Sequence, residues 1–243
     1  MGIQKGQDRM DIRSFAAWAG MMGSVLFVGI FTVEGFLRPA YNPFSMYVSE
    51  LSIGPRGWVQ VLNFIIFGVL FLIFARGVTI EFKEQKSSQI GSILLSIIGL
   101  LFLLSGPFVM DPATTPRTEW SLFGTIHQLL GALVFVLFPV SCFVFWWRFK
   151  EDPKWQSLQW GTLIAGLIIV VGVILLRIGP TMPPEAPNAF NAWVGLIQRV
   201  IIITYLAWIF TFAFMLRKQR TQLISKINLT PHENDIRREV DQD

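Results

Sequence analysis

Five side chains of this sequence combine the residue types used in acyl transfer, and they come from only two short regions. They are Ser45, Ser49, Glu50, Asp111 and His127. A serine, a histidine and a carboxylate can act as nucleophile, general base and orienting group. One hypothesis is therefore a membrane-embedded hydrolase acting on a lipid or acyl substrate. In it Ser45 or Ser49 would be the nucleophile, His127 the base, and Asp111 or Glu50 the acid.

Metal and cofactor chemistry is disfavoured by the number of suitable ligands. The chain has two histidines and one cysteine, and His127 is the only histidine within an apolar segment. Zinc normally takes three or four protein ligands. The same count excludes a bis-histidine haem, which needs two histidines. The sequence also lacks HExxH, GxSxG and a nucleotide-binding glycine loop. We predict no metal site and no cofactor.

The elements that must position these residues are membrane helices. Of the 243 residues, 53% are hydrophobic and 15% are charged, which is typical of a membrane protein. Six stretches supply the roughly 20 apolar residues that a bilayer helix needs. They are Phe15–Phe36, Trp58–Ile80, Ile90–Met110, Leu122–Trp147, Gly161–Ile178 and Ala192–Leu216. We predict an all-α fold, a six-transmembrane-helix bundle over 15–216. It is flanked by a cytoplasmic N-terminus, 1–14, and a mobile cytoplasmic tail, 217–243.

The distribution of Lys and Arg predicts the orientation of the bundle. These residues concentrate at the N-terminus, in the second and fourth connections and in the C-terminal tail, whereas the other end has only Arg38, Arg56, Arg117 and Arg177. Lys and Arg are enriched in cytoplasmic loops. We predict a multi-pass protein of the cell (plasma) membrane with both termini in the cytoplasm. The formal net charge of +4 then reflects topology, and we predict no nucleic-acid partner.

The first predicted external connection, 37–57, has the pattern of an amphipathic helix. Asn42 can cap a helix whose first residue is Pro43. Apolar side chains then recur at helical spacing: Phe44, Tyr47, Val48 and Leu51. Serines fall on another face: Ser45, Ser49 and Ser52. We predict a short interfacial helix of about ten residues.

Ionisable side chains close to this outer face form a candidate binding site. Arg199 lies about seven residues, or roughly 10 Å, inside the sixth stretch. Because charges at that depth usually pair with one another, we expect Arg199, His127, Asp111 and Glu50 to form one hydrogen-bonded cluster. The candidate binding residues are Asn42, Ser45, Ser49, Glu50, Asp111, His127, Arg177 and Arg199.

Three functions remain open for this polar pocket. The first is binding of a lipid headgroup, a small anion or a partner segment, with membrane lipids as the surrounding partners. The second is the hydrolase described above. The third is transport of a small solute, although transporter sites usually lie near the bilayer midplane, where these stretches are strongly apolar. The oligomeric state is left open.

Four motifs resemble a known family. They are Asn42-Pro43-Phe44-Ser45 with Ser49-Glu50-Leu51, Asp111-Pro112, Gly124-Thr125-Ile126-His127 and Gly195-Leu196-Ile197-Gln198-Arg199. In this order they resemble a family of prokaryotic membrane proteins defined by the domain of unknown function 998, over roughly Phe15 to Leu216. The resemblance implies a membrane bundle and a site at these motifs, without an activity. Gln198 stands where the family pattern usually has an acid.

Overall fold

The computed structural model is all-helical in the part of the chain that it describes. That part comprises the backbone of 2–83, 88–178 and 191–240 and the side chains of 12–83, 89–178 and 192–219. The α-helices are α1 Gly2–Leu37, α2 Gly57–Glu81, α3 Ser88–Ser105, α4 Leu122–Glu151, α5 Gln159–Ile178 and α6 Val194–Val240. Short 3-10 helices lie at Val48–Ser52, Arg117–Glu119, Gln156–Leu158 and Asn191–Trp193.

Five of these helices contain segments long and apolar enough to cross a membrane. The segments are Ile12–Leu37, Gly57–Glu81, Leu122–Glu151, Gln156–Ile178 and Val194–Gln219. The chain is therefore a multi-pass membrane protein, as the composition predicted. The sixth segment, within α3, is shorter, and six spans remain a prediction.

The helix of the third stretch ends earlier than predicted. The sequence predicted apolar helix as far as Met110, but α3 ends at Ser105. Pro107 explains the difference, because a proline disfavours helical backbone at the preceding residue and has no amide hydrogen. With 18 residues, α3 rises about 27 Å, slightly less than the hydrocarbon core of a bilayer.

The helices pack as a ring in chain order. Each contacts its neighbours in the sequence, and α6 closes the ring by packing against α1. Aromatic rings fill the interior, including Phe27, Phe64, Phe67, Phe71, Phe74, Phe102, Phe138, Phe145 and Phe212. At the centre, Phe138 stacks on Tyr205 with ring centroids 3.7 Å apart. The Tyr205 hydroxyl forms a 3.0 Å hydrogen bond with Ser141 Oγ, so the buried phenol is satisfied.

The first connection contains a short helix, but not the one that the periodicity predicted. Asn42 Oδ1 accepts from the Phe44 amide at 3.0 Å, and the Asn42 carbonyl accepts from the Met46 amide at 2.8 Å. These bonds form a single turn. The backbone then becomes extended at Tyr47 before the five-residue 3-10 helix Val48–Ser52. The predicted continuous helix of about ten residues is wrong.

Competing hydrogen bonds explain this break. In a continuous α-helix the Pro43 carbonyl would accept from the Tyr47 amide, four residues later. Here the Tyr47 amide donates to Glu50 Oε1 at 2.8 Å, and the Pro43 carbonyl accepts from the distant Arg199. Local periodicity does not reveal that a side chain of α6 will take that carbonyl.

Candidate functional site

Arg199 joins α6 to the first connection in what we call the arginine clamp. Its Nη1 donates to the carbonyls of Pro43 at 2.6 Å, Met46 at 2.9 Å and Gly195 at 3.0 Å. Its Nη2 donates to the Tyr41 hydroxyl. The Arg199 residue is 8% exposed, so these neutral acceptors solvate a nearly buried charge. The clamp holds the loop over one end of the bundle, the predicted outer end.

Aromatic faces complete the environment of this guanidinium. Arg199 Cζ lies 5.8 Å from the centroid of the Phe31 ring and 5.5 Å from that of Tyr41, within cation–π range. Burial raises the pKa of the Tyr41 hydroxyl, although the nearby Arg199 opposes the shift. The neutral hydroxyl also donates to the Tyr47 carbonyl at 2.9 Å. The donors of Arg199 are thus directed at the fold and not at an open space.

Two further bonds join the loop to α6. The Leu196 amide donates to the Phe44 carbonyl at 2.9 Å, and the Val48 amide donates to Gln198 Oε1 at 2.7 Å. Both donors are amides in the first turn of a helix, where a backbone amide has no acceptor within its own helix. The first and last family motifs therefore form one structural unit. An acid at the position of Gln198 could accept the same Val48 amide.

A salt-bridged group fixes the other side of the loop. Glu34 is buried and contacts Arg56 at 2.5 Å and Arg38 at 3.5 Å. The hydrogen bond to the Glu34 carboxylate raises the pKa of Arg56. Arg38 also donates to the carbonyls of Ile53 at 2.9 Å and Leu51 at 2.7 Å, which lie at the end of the 3-10 helix. Glu34 and Arg38 thus have a structural role at this end.

Asp111 and His127 connect the end of α3 to the start of α4. Asp111 Oδ2 accepts from the Ser121 amide at 2.8 Å, and Ser121 Oγ caps α4 by accepting from the Gly124 amide at 2.9 Å. His127 Nδ1 lies 2.6 Å from the Phe108 carbonyl. Because a carbonyl only accepts, Nδ1 carries the hydrogen, and Nε2 of the neutral ring is then an acceptor.

The predicted four-residue cluster is wrong. Among the residues that the structure describes, no hydrogen bond or ion pair joins any two of Arg199, His127, Asp111 and Glu50. Each group instead has its own backbone partners. Arg199 donates to the loop carbonyls and His127 Nδ1 to the Phe108 carbonyl, whereas Asp111 accepts from the Ser121 amide and Glu50 accepts from the Tyr47 amide. Backbone carbonyls and amides satisfy these charges without a shared network.

A small cavity, which we call the chamber, lies where the motifs meet beneath the 3-10 helix. Its volume is about 40 Å³. Four polar residues line it, each from a different element: Ser49, Ser105, His127 and Gln198. The rest of the lining is apolar, with Phe27, Val48, Phe64, Phe102, Gly131, Val134, Phe135, Phe138 and Ile202. This space is close to that of a single water molecule or of one small polar group.

The chamber brings together only part of the predicted site. Ser49 and His127 line it, whereas Asn42, Ser45, Glu50, Asp111, Arg177 and Arg199 are not among its lining residues. Asn42 supports the loop turn, and Ser45 is half-buried in the same loop. Arg177 is exposed at the end of α5. A direct interaction of Asp111 with His127 is not among the described hydrogen bonds, so the orienting partner of His127 is a backbone carbonyl.

Sequence reasoning missed three residues of this region. Tyr41 completes the clamp, and Ser105 and Gln198 line the chamber. Two signals were present in the sequence: Ser105 follows the apolar run Leu100–Leu104, and Gln198 departs from the family pattern. Among the described residues, no three His, Cys, Asp or Glu side chains are placed to hold a metal ion.

Comparison with models of known protein families gives a match over most of the chain. The model of the family described as "Protein of unknown function (DUF998)" matches residues 21–215, well over half of the chain. The matched region contains the clamp and every residue that lines the chamber. No curated protein and no solved structure matches the chain.

Proposed function

The chain belongs to the family of proteins of unknown function DUF998, and we propose that it binds the neutral polar end of a membrane lipid in the chamber. One observation supports this above all. Three of the family motifs each contribute one polar side chain, Ser49, His127 and Gln198, to a cavity otherwise lined mainly by phenyl rings and aliphatic groups. Sites for small molecules commonly combine an apolar lining with a few converging polar groups.

We further propose a six-span bundle in the plasma membrane with both termini in the cytoplasm. The Lys and Arg distribution supports this orientation. It puts the chamber close to the outer face of the membrane, at the depth of lipid ester and hydroxyl groups.

The charge of the lining favours a neutral ligand group. The polar side chains of the chamber are two hydroxyls, an imidazole and a carboxamide, without an acidic or cationic side chain among them. Arg199, the nearest basic residue in the sequence to Gln198, donates to three carbonyls and the Tyr41 hydroxyl instead. A hydroxyl or an ester carbonyl therefore suits this lining better than a phosphate.

A glycine at the edge of the chamber supports entry from the lipid phase. A Cβ atom added to Gly131 would meet no atom within 4 Å, so this face of α4 borders open space. One end of a lipid could insert there while its chains remain in the bilayer. With a volume of about 40 Å³, the chamber has room for one functional group and not for a whole headgroup.

The interior favours binding over transport. The ring of Phe102, which lines the chamber, stacks 6.1 Å from Phe138, and Phe138 stacks on Tyr205 deeper in the bundle. A transported solute would have to displace these packed rings, which interiors at crystal-like density resist.

The test measures lipid-dependent thermal stability. A short-chain diacylglycerol, which offers a hydroxyl and two ester carbonyls without charge, is titrated into the purified protein in nanodiscs. We expect the wild-type melting temperature to rise with concentration, because a ligand that binds only the folded state stabilises it. Gly131→Phe should abolish the rise by filling the opening of the chamber.

Gly29→Phe is the matched control. Gly29 is also a helical glycine whose added Cβ would meet no atom within 4 Å, but it lies on α1 and does not line the chamber. This variant should respond like the wild type. An equal response of Gly131→Phe and Gly29→Phe would refute binding in the chamber. A larger shift with phosphatidic acid that depends on Gly131 would refute the preference for a neutral group.

A second candidate function, ester hydrolysis, is favoured by the tautomer of His127. With Nδ1–H held by the Phe108 carbonyl, Nε2 of the neutral ring would accept the proton, and Ser49 lines the same chamber. Ser49 Oγ would add to an ester carbonyl carbon while its proton passes to Nε2. That proton would then go to the departing alcohol oxygen, and water would hydrolyse the acyl-serine.

A fluorophosphonate probe, which forms a covalent bond with activated serines, distinguishes the two functions. If the protein is a hydrolase, the probe should label Ser49, and His127→Gln should reduce the labelling strongly without lowering the melting temperature comparably. Ser45→Ala is the control, because Ser45 does not line the chamber. Absence of labelling at Ser49 would leave binding as the function.

A further inference from the structure

A second cavity lies at the opposite end of the bundle from the chamber. It is a groove of about 660 Å³ bordered by α2, α3 and the first described part of α1. Ligand pockets commonly measure about 300–1,000 Å³, so the groove has the size of a binding site. It lies at the end where the N-terminus and the second connection are found, the predicted cytoplasmic end.

The groove is basic and polar at one end. Arg76, near the end of α2, and Lys83, just after it, are exposed and line the groove with Gln89 of α3. Within the part of the chain that the structure describes, neither cation takes part in an ion pair. Two positive charges and an amide are therefore available to a ligand.

Neighbouring cations at this end behave differently. Arg13 is paired with Glu81 at 2.9 Å, and Arg148 is paired with Asp152 at 2.9 Å. Acidic partners are thus present at this end of the bundle, but they are engaged by other arginines. Among the described residues that line the groove, the net charge is positive.

The wall of the groove is apolar along α2 and α3. Leu72, Ile93, Ile97 and Leu100 line it, and the last three are exposed on α3. These side chains extend about two turns along α3, roughly 10 Å, which suits an acyl chain. A soluble anion would use only the basic end and would leave this wall unoccupied.

We propose that the groove binds an anionic phospholipid, with its phosphate at Arg76 and Lys83 and an acyl chain along α3. The groove is separate from the chamber. Its ligand has an anionic group, whereas the ligand group in the chamber is neutral. Each Lys or Arg near an anionic lipid surface contributes about 1 kcal/mol of attraction. Two such contacts correspond to a roughly 30-fold gain in affinity over a zwitterionic lipid.

The test uses nanodiscs of phosphatidylcholine with a defined fraction of phosphatidylglycerol. Native mass spectrometry of the released protein counts the phosphatidylglycerol molecules that remain bound. The double variant Arg76→Gln, Lys83→Gln should lower the apparent affinity for phosphatidylglycerol about 30-fold. Its melting temperature in pure phosphatidylcholine should equal that of the wild type, because both side chains are exposed.

A matched double variant controls for overall charge. Lys150→Gln, Lys154→Gln removes the same charge from exposed positions at the same end, outside the groove. This variant should retain phosphatidylglycerol within about threefold of the wild type, since the attraction between exposed lysines and a distant phosphate is screened beyond about 10 Å. An equal loss in both double variants would overturn the groove and indicate a diffuse surface charge.

A third variant tests the groove by shape alone. Ser96 lines the wall, and Ser96→Trp would fill it without a change of charge. We expect phosphatidylglycerol retention to fall although Arg76 and Lys83 are intact. Undiminished retention would overturn the proposal, as would complete displacement of phosphatidylglycerol by millimolar inorganic phosphate.

Discussion

Substitution of Arg199 tests the clamp most directly. Arg199→Ala removes donors from the carbonyls of Pro43 and Met46 and from the Tyr41 hydroxyl. The third carbonyl, of Gly195, lies four residues earlier on the same helix, where it can accept from the backbone. Each buried acceptor left without a donor costs about 1–3 kcal/mol.

The two loop carbonyls therefore set the expected size of the effect. The Met46 carbonyl keeps only the longer bond of 3.3 Å from the Tyr41 hydroxyl. Loss of the two guanidinium bonds costs about 2–6 kcal/mol, and no buried charge is left behind. We expect Arg199→Ala to lower the free energy of unfolding by about 4 kcal/mol. At about 2–4 °C for each kcal/mol in a chain of this size, the melting temperature should fall by roughly 10 °C.

The assay is thermal unfolding of the detergent-solubilised protein. Arg117→Ala is the control, because Arg117 is exposed. Within the part of the chain that the structure describes, its guanidinium has one cation–π contact, with Cζ 5.8 Å from the centroid of the Trp120 ring. This substitution should cost less than about 1 kcal/mol. The melting temperature of Arg199→Lys should lie between those of Arg199→Ala and Arg117→Ala. The lysine ammonium keeps the positive charge but cannot form the planar pair of bonds that the guanidinium forms.

Two results would refute the reasoning. A melting temperature of Arg199→Ala within about 2 °C of the wild type would show that the clamp does not hold the loop. Strong coupling with Asp111→Ala would also contradict the structure. Since Arg199 and Asp111 share no described partner, their effects on the free energy of unfolding should add to within about 0.5 kcal/mol.

Two further predictions concern packing and topology. Gly195→Ala should lower the melting temperature by several degrees, because its Cβ would lie 2.3 Å from a backbone oxygen of the first loop, whereas Gly161→Ala, with no atom within 4 Å, should not. In a Cys142→Ala background, a cysteine at Ser45 should react with an impermeant thiol reagent in intact cells and one at Thr221 should not. Reversed labelling would contradict the proposed orientation and place the chamber at the cytoplasmic face.

Much of the fold was predictable because hydrophobic length is a local property of a sequence. The apolar stretches found from composition correspond to helices α1–α6, with most limits correct to within a few residues. Three limits differ more. Helix α1 begins at Gly2 and helix α6 ends at Val240, so both extend beyond the predicted apolar stretches. The end of α3 had a local cause in Pro107 that the sequence already contained. Family membership was equally accessible, because short motifs in a fixed order carried it.

The partners of the polar residues were decided only by the tertiary structure. The predicted position of Arg199 inside the sixth apolar stretch correctly indicated that it needs hydrogen-bond partners. The prediction that these partners are acids was wrong, because Arg199 donates to the loop carbonyls of Pro43 and Met46. The same long-range bonds divided the predicted loop helix into a turn and a 3-10 helix. Periodicity describes one segment, whereas these bonds join groups more than 150 residues apart.

The lining of the chamber also depends on both residue type, which is local, and long-range packing. The sequence identified Ser49 and His127 by residue type, and it identified Gln198 only as a departure from a pattern. That the three side chains line one cavity follows from the closure of the ring by α6 against α1 and from the clamp that holds the loop above it. The sequence specifies the residue types. Whether these side chains meet in one cavity depends on packing between segments that are distant in the chain.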